Sequence, residues 1–364
     1  MLRNFNIQNY KCFKNLLLEE LAPVTLVGGK NCAGKSALLE ALWIMYGAHN
    51  PSMLLAAQNL RGMQSFSASR LLKDLFRQYN PENEIVLTAD WHEEPRERLT
   101  IRQTQRPQAS PTVTEPPVSS SSPGESEQDE TSTKTGTAAY PRLTMETLCE
   151  GETKYKASIT TTEEGKPEID AGAAERTPNA VWVLPRLHPD RVTERFSQLV
   201  TEGYKERLLD ALHIITGRIQ DVQLLKQGDT LYVQGKNQMD KWVPLNLMGQ
   251  GLTKVLNICV DLVDVAGGGA ILIDEFENGL HHSIQRQVWK AIGKFAQDLD
   301  AQVFATTHSY ECIGEAAAAF TERGSSDFAY YRIDLMKEER TRRVQRFSHD
   351  EVNTALDMEM ELRG

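Results

Sequence analysis

Two hydrophobic rhythms alternate along this chain of 364 residues. Largely apolar runs at 24–27, 181–184 and 270–273, with a similar run at 302–306, have the pattern of buried strands. Residues 2–7 instead alternate Leu2, Phe5 and Ile7 with polar neighbours, and 84–91 alternates likewise, so both read as half-buried strands. A short connection through Lys11 and Lys14 is expected after the first. Helical spacing marks the stretches between. Leu38, Leu39, Leu42 and Trp43 share one side of a helix ending near Gly47. Leu71, Leu72, Leu75 and Phe76 place helix within 51–80. Phe196, Leu199, Val200, Leu208, Leu209, Leu212 and Ile215 line one face of 191–216, with a break near Gly203. Ile284, Val288, Ala291, Ile292, Phe295 and Leu299 form a further core-facing stripe. Residues 230–233 and 241–243 read as a β-pair across a Gly/Asn turn, and 330–333 as a late strand. No internal repeat stands out, and heptads are not sustained, which argues against a long coiled coil.

The first buried strand runs into a glycine-rich turn that opens the first helix. Within it Gly29, Lys30, Asn31, Cys32, Ala33, Gly34, Lys35 and Ser36 fit GxxxxGK[ST], the phosphate-binding loop, in the strand–turn–helix setting that the motif requires. Glycines let backbone N–H groups curl around an anion, and the helix N-terminus adds its positive dipole end. Lys35 would reach the β- and γ-phosphates, and the Ser36 hydroxyl would ligate Mg²⁺. Cys32 reads as a small residue filling the loop; an oxidisable thiol at a helix N-terminus is the other reading.

Three later pieces extend this chemistry. The strand 270–275 buries four apolar residues and ends in Asp274 and Glu275, as suits a ligand crevice at the carboxyl ends of α/β strands. Asp274 would hold Mg²⁺, and Glu275 would orient and deprotonate an attacking water. The strand 302–306 is followed by His308, placed to meet a γ-phosphate and sense its loss. In 246–254, Gly249, Gln250 and Gly251 form a turn that opens an apolar helix, a second helix N-terminus able to face an anion.

Charge and composition narrow the classes. Forty Lys and Arg against fifty Asp and Glu leave a net charge of −10, which argues against a strongly basic nucleic-acid binder. The five cysteines are scattered without a CxxC pair and read as reduced thiols. The N-terminus is too polar for a signal peptide, and the best long apolar run, 255–273, is interrupted by Asp261 and Asp264, so a cytoplasmic protein without a membrane span is expected. Residues 104–139 are rich in Pro, Ser, Thr and Glu and almost free of large apolar side chains. They read as a disordered insertion at the tip of a hairpin, tolerated as a loop or used for docking. The basic run 337–346, with Arg342, Arg343 and Arg346, reads as a solvated hairpin, with a nucleic-acid phosphate contact as the alternative.

In combination, the segments FNIQNYKCFKN, GGKNCAGKS, NLMGQGL, ILIDEFENGLHHS and FATTHS resemble the ABC-type ATPase head, and most nearly the OLD-like (overcoming lysogenization defect) group of AAA/ABC ATPases, many of which sit in bacterial defence systems. The resemblance covers about 1–90 and 180–335. It implies an α/β fold, a P-loop NTPase head of ABC type with an antiparallel β subdomain and a helical subdomain. The expected division is 1–90 for the first half of the head, 91–180 for an insertion and 181–364 for the helical subdomain and second half. It also implies ATP and Mg²⁺ as ligands, Glu275 as catalytic base, His308 as switch, and a homodimer or higher homo-oligomer with ATP sandwiched between heads. Gly249, Gln250 and Gly251 of one copy would then touch the γ-phosphate held by the other.

Three departures stand out. LMGQG replaces the LSGGQ turn of transporters. The segment after Glu275 lacks the aspartate usual in repair and transporter heads; its His281 and His282 read as capping and inter-subunit contact, with metal binding as the alternative. The glutamine that often contacts Mg²⁺ has three candidates, Gln58, Gln64 and Gln78. OLD proteins proper continue into a Toprim nuclease, whereas about 55 residues follow His308 here, so a separate effector polypeptide, nuclease or toxin, is expected. The leading reading is an ATP-hydrolysing dimeric switch that controls such an effector in anti-phage defence. A RecF- or SMC-like ATPase of DNA repair, with nucleic acid as partner, is the alternative; a transporter subunit and a non-hydrolysing scaffold stand behind it.

Overall fold

Strands that are apolar on both faces need a covered layer on each side, and two different layers supply it. The computed structural model describes residues 1–59, 73–106, 140–162, 166–171, 179–184, 189–228, 230–336, 341–358 and 360–362. In chain order the strands are β1 (Leu2–Tyr10), β2 (Phe13–Leu18), β3 (Val24–Gly28), β4 (Ile85–Trp91), β5 (Glu97–Arg106), β6 (Tyr140–Cys149), β7 (Glu152–Thr161), β8 (Pro167–Ala171), β9 (Ala180–Val183), β10 (Ile219–Gln227), β11 (Thr230–Asn237), β12 (Trp242–Pro244), β13 (Ala270–Ile273), β14 (Gln302–Thr306), β15 (Phe328–Met336) and β16 (Thr341–Ser348). The helices are α1 (Lys35–Tyr46), α2 (Ser52–Asn59), α3 (Pro189–Thr201), α4 (Lys205–Ile215), α5 (Gln250–Val263), α6 (His282–Asp298), α7 (Tyr310–Glu322) and α8 (His349–Asp357).

The six-stranded sheet has the order β16-β15-β3-β14-β13-β9, parallel except for the antiparallel edge strand β16. Alternate residues of its strands feed two cores. Val24, Leu26, Ile271, Ile273, Val303 and Ala305 pack with the helices α3 to α8, whereas Val27, Ala270, Leu272 and Phe304 pack with α1 and the other sheet. That second sheet is seven-stranded and antiparallel, in the order β2-β1-β4-β5-β6-β7-β8. Its one-sided burial explains the alternation of Leu2, Phe5, Ile7 and Tyr10 in β1, all buried. It runs unbroken from the N-terminal strands into β5–β8, so residues on both sides of position 90 share it. A small sheet, β10-β11-β12, lies beside α3 and α4.

Helix α1 contacts β4 of one sheet and β9, β13 and β14 of the other. It is therefore buried nearly all round, and even Glu40 is covered, held by Lys11 and the Tyr10 hydroxyl. The spacing in the sequence predicts a single apolar stripe, whereas an enclosed helix needs apolar residues on every side.

Other expectations change in detail. Residues 11–18 are mostly strand: Lys14 lies in β2, which pairs with β1 as Tyr10↔Phe13. Of 51–80, α2 is helical, but Leu75 and Phe76 are not. Phe76 bridges Tyr10 and Leu75 accepts from the Lys11 amide, because a pairing edge was available at the turn after β1. Leu71, Leu72 and Gln64 lie outside the described residues. The 191–216 stretch breaks at Gly203, with φ 83°, into α3 and α4. Val200, expected on the buried face, is 41% exposed. The β-pair 230–243 has a third strand, β10, that its mixed polarity hid. The Pro/Ser-rich segment connects β5 to β6, which pair out to Arg106↔Tyr140; its residues 107–139 lie outside the described residues. Residues 341–348 form the outer strand of a hairpin, as read, while 337–340 lie outside the described residues.

One buried amide staples the N-terminal strand to the parallel sheet. Gln302 Oε1 accepts from Leu2 N and from the Tyr46 hydroxyl, both at 2.9 Å, and Nε2 donates to Leu2 O (2.8 Å) and Ala22 O (3.1 Å). Gln302→Met keeps the volume but removes all four of these hydrogen bonds. The unfolding free energy should fall by about 3 kcal/mol, read from the urea midpoint at unchanged m-value; a loss below about 1 kcal/mol would deny the staple this weight.

Candidate nucleotide site

The carboxyl ends of β3, β13 and β14, central neighbours in the parallel sheet, bring the phosphate loop beside the acidic strand end. The loop's shape depends on two glycines. Gly29 has φ 145° and Gly34 φ 111°, and Gly34 is the N-cap of α1. A Cβ on Gly34 would stand 2.7 Å from Cys12 Sγ and 2.8 Å from Phe13 Cζ. No side chain caps α1 there, so its first amides remain for an anion. Lys35 Nζ lies within the curl, donating to Gly29 O at 2.7 Å and Lys30 O at 3.2 Å. Burial pulls the Lys35 pKa down, while Asp274, Glu277 and Glu275 oppose that shift by charge. Lys30, Asn31 and Cys32 are exposed, Ala33 is buried, and Ser36 is half-buried.

A cleft of about 470 Å³ opens here, walled by Lys11, Cys12, Asn31, Cys32, Ala33, Gly34, Lys35, Ser36, Ala37, Asp274 and Glu275. The two sequence-predicted acids therefore meet the loop. Thr306, at the end of β14, orients both: its hydroxyl donates to Asp274 Oδ1 and accepts from Glu275 N at 2.9 Å. Glu275 sits at φ 50°, a left-handed conformation that a non-glycine residue holds only when its surroundings impose it. Its carboxylate accepts from Asn278 Nδ2. Ser36 and Asp274 are hard oxygen donors on one cleft, a set suited to Mg²⁺ with phosphate and water completing the shell. Of the three glutamine candidates, Gln78 is exposed with φ 56° and does not line the cleft, Gln58 lies in α2, and Gln64 lies outside the described residues.

His308 and the 249–251 turn do not line the cleft. His308 is half-exposed and held by Glu277, whose Oε1 takes both the His308 amide and Nδ1 at 2.9 Å. Gly249, at φ 129°, is the N-cap of α5. Gly249 and Gln250 are exposed, while Gly251 is buried against Ile284. His281 caps α6, accepting from Ser283 N through Nδ1. Among the described residues no three His, Cys, Asp or Glu gather as a metal cluster. Sequence reasoning missed Thr306, Glu277 and Lys254. Thr306 left one signal, a hydroxyl closing a strand whose middle residues, Val303 to Ala305, are apolar.

Comparisons with known proteins bear on the whole arrangement. Residues 1–147 match the family model described as AAA ATPase domain, and residues 180–313 match AAA domain, putative AbiEii toxin, Type IV TA system. A curated Helicobacter pylori protein named ATP/GTP phosphatase is 26% identical over 344 residues, spanning 91% of this chain and 90% of its own. The chain is an ATPase, and each half of it is similar to an AAA domain. Among solved structures it is similar to an SMC head bound to the C-terminal winged-helix domain of ScpA (12% identity, 98% and 99% of the two chains, TM-score 0.48). It is similar too to the SMC head domain from Thermotoga maritima (9% identity, 95% and 98%, TM-score 0.41). No helix among the described residues is long and apolar enough to cross a membrane.

The glycine at position 34 offers a direct check on the ATPase site. Gly34→Ala imposes both the left-handed strain and the collision with Cys12 and Phe13. ATP affinity should weaken by about 100-fold or more, on the order of 3 kcal/mol, in a titration with a fluorescent ATP analogue. Unchanged affinity in a folded variant would place nucleotide elsewhere.

Proposed function

We propose that this ATPase is a dimeric switch that closes around ATP and controls a separate effector polypeptide. The observation that carries the reading is the division of the site: the phosphate loop and both acids share one cleft, while the exposed turn of Gly249 and Gln250 stands outside it. A second copy brings the missing half, with Gly249, Gln250 and Gly251 of one head facing the γ-phosphate bound by Lys35 of the other. Ser36 and Asp274 would hold a Mg²⁺, which would supply charge neutralisation for the phosphates. Glu275 accepts a proton from the attacking water, and Thr306 orients it. His308, freed from Glu277, meets the γ-phosphate.

The finer assignment is to the OLD-like defence group, supported by the LMGQG turn and by the 277–282 segment with its paired histidines. The model matching 180–313 is described as a putative toxin of a type IV toxin–antitoxin system, which supports a role within a system of that kind. The basic hairpin is weaker support for a nucleic-acid partner, since Arg342 donates to Cys12 O and Arg346 lies on Glu20.

Glu275→Gln tests the core of the reading. Turnover should fall by about 10³-fold while ATP stays bound, and light scattering should show an ATP-dependent dimer that the wild type forms only transiently. Retained hydrolysis would remove Glu275 from the chemistry, and a monomer at saturating ATP would remove the sandwich.

A further inference from the structure

The 275–278 loop carries Glu275 at one end and is gripped from several directions. Phe276 N donates to Thr306 O at 2.9 Å, and the Phe276 ring stacks on Trp289 of α6 at 3.7 Å. Glu277 holds His308. The remaining grip comes from α5. Lys254, at the start of the second turn of that helix, lays its ammonium over the Phe276 ring, with Nζ 5.0 Å from the centroid. It donates to the backbone carbonyl of Phe276 and, at 2.9 Å, to that of Asn278. Asn278 in turn donates its side-chain amide to the Glu275 carboxylate. A continuous path thus runs from the helix behind Gly249–Gln250–Gly251, through Lys254 and Asn278, to Glu275.

A largely covered ammonium is a costly way to pack a loop. Burial pushes the Lys254 pKa down to about 8, against the opposing charge of Glu277 on the loop, which in turn is paired with His308. A methionine would fill the same space without that desolvation. A packing role alone does not call for a cation; two converging carbonyls do.

We infer that Lys254 is a positioning residue that fixes the 275–278 loop to α5, so that a partner's nucleotide docking on the Gly249–Gln250–Gly251 turn sets the orientation of Glu275. The inference rests on the reading of Glu275 and that turn given above. In the isolated head the left-handed Glu275 is held by Asn278. A shift of the α5 N-terminus pulls directly on both carbonyls and hence on that contact. Hydrolysis is thereby tied to dimer closure through a rigid link.

Steady-state ATP hydrolysis and nucleotide binding by the full chain, wild type against Lys254→Met, Lys254→Arg and Lys254→Gln, test this. Lys254→Met should lower kcat by between about 10- and 100-fold with ATP affinity within about threefold and an unchanged or higher Tm. Lys254→Arg, which keeps a forked donor for the carbonyls, should recover most of the rate. In a Glu275→Gln background, Lys254→Met should slow turnover no further, because the two residues act as one unit. A folded Lys254→Met protein at the wild-type rate overturns the inference, as does parallel loss of rate and ATP affinity. Should Lys254→Met not fold, Lys254→Gln decides by the same two outcomes. If instead Glu275→Gln itself hydrolyses normally, the catalytic reading fails, separately from the Lys254 result.

Discussion

Enclosure of α1 between two sheets is the constraint on which the rest of the molecule depends. The phosphate loop must hold Gly29 and Gly34 in conformations that other residues resist, and only rigid flanks maintain them. One flank is β3, between β15 and β14 in the parallel sheet; the other is α1, covered on all sides. The antiparallel sheet closes the far side of α1, and the turn between β1 and β2 brings Cys12 and Phe13 against Gly34. Strands far from the loop in sequence therefore set its shape.

The same layering sharpens the electrostatics. Lys35 lies half-buried with three carboxylates near it, so the cation is partly desolvated and partly compensated before any phosphate arrives. Thr306 uses one hydroxyl to aim both acids, donating to Asp274 and accepting from the Glu275 amide. These groups are organised in advance, which spares reorganisation when charge develops on a phosphoryl group.

Polar groups inside the helical layer follow the same logic of pairing. Asp261 is fully buried in α5, and Arg195 of α3 bridges it to Asp264. Such a pair adds little net stability over an apolar isostere, but removing one member leaves a buried charge alone. It fixes how α3 lies across α5, the helix that also carries the 249–251 turn and Lys254. The acids that interrupt the apolar run of α5 in sequence are thus the ones that orient it.

The sequence alone determined the buried strands, the phosphate loop, the acids at the end of β13 and the glycine break between α3 and α4, because each rests on local rules: hydrophobic period, glycine conformation and motif spacing. Where a residue's state depended on a distant edge or layer, local rules failed. Phe76 left the expected helix to pair with Tyr10, β10 was masked by its mixed polarity, and α1 proved to be buried on every side. The roles of Thr306, Glu277 and Lys254 were likewise decided by tertiary structure, since each acts through partners between 22 and 32 residues away, on other elements. A spacing rule describes what one helix or strand presents; which carbonyl a lysine meets across the fold is settled by how the layers pack.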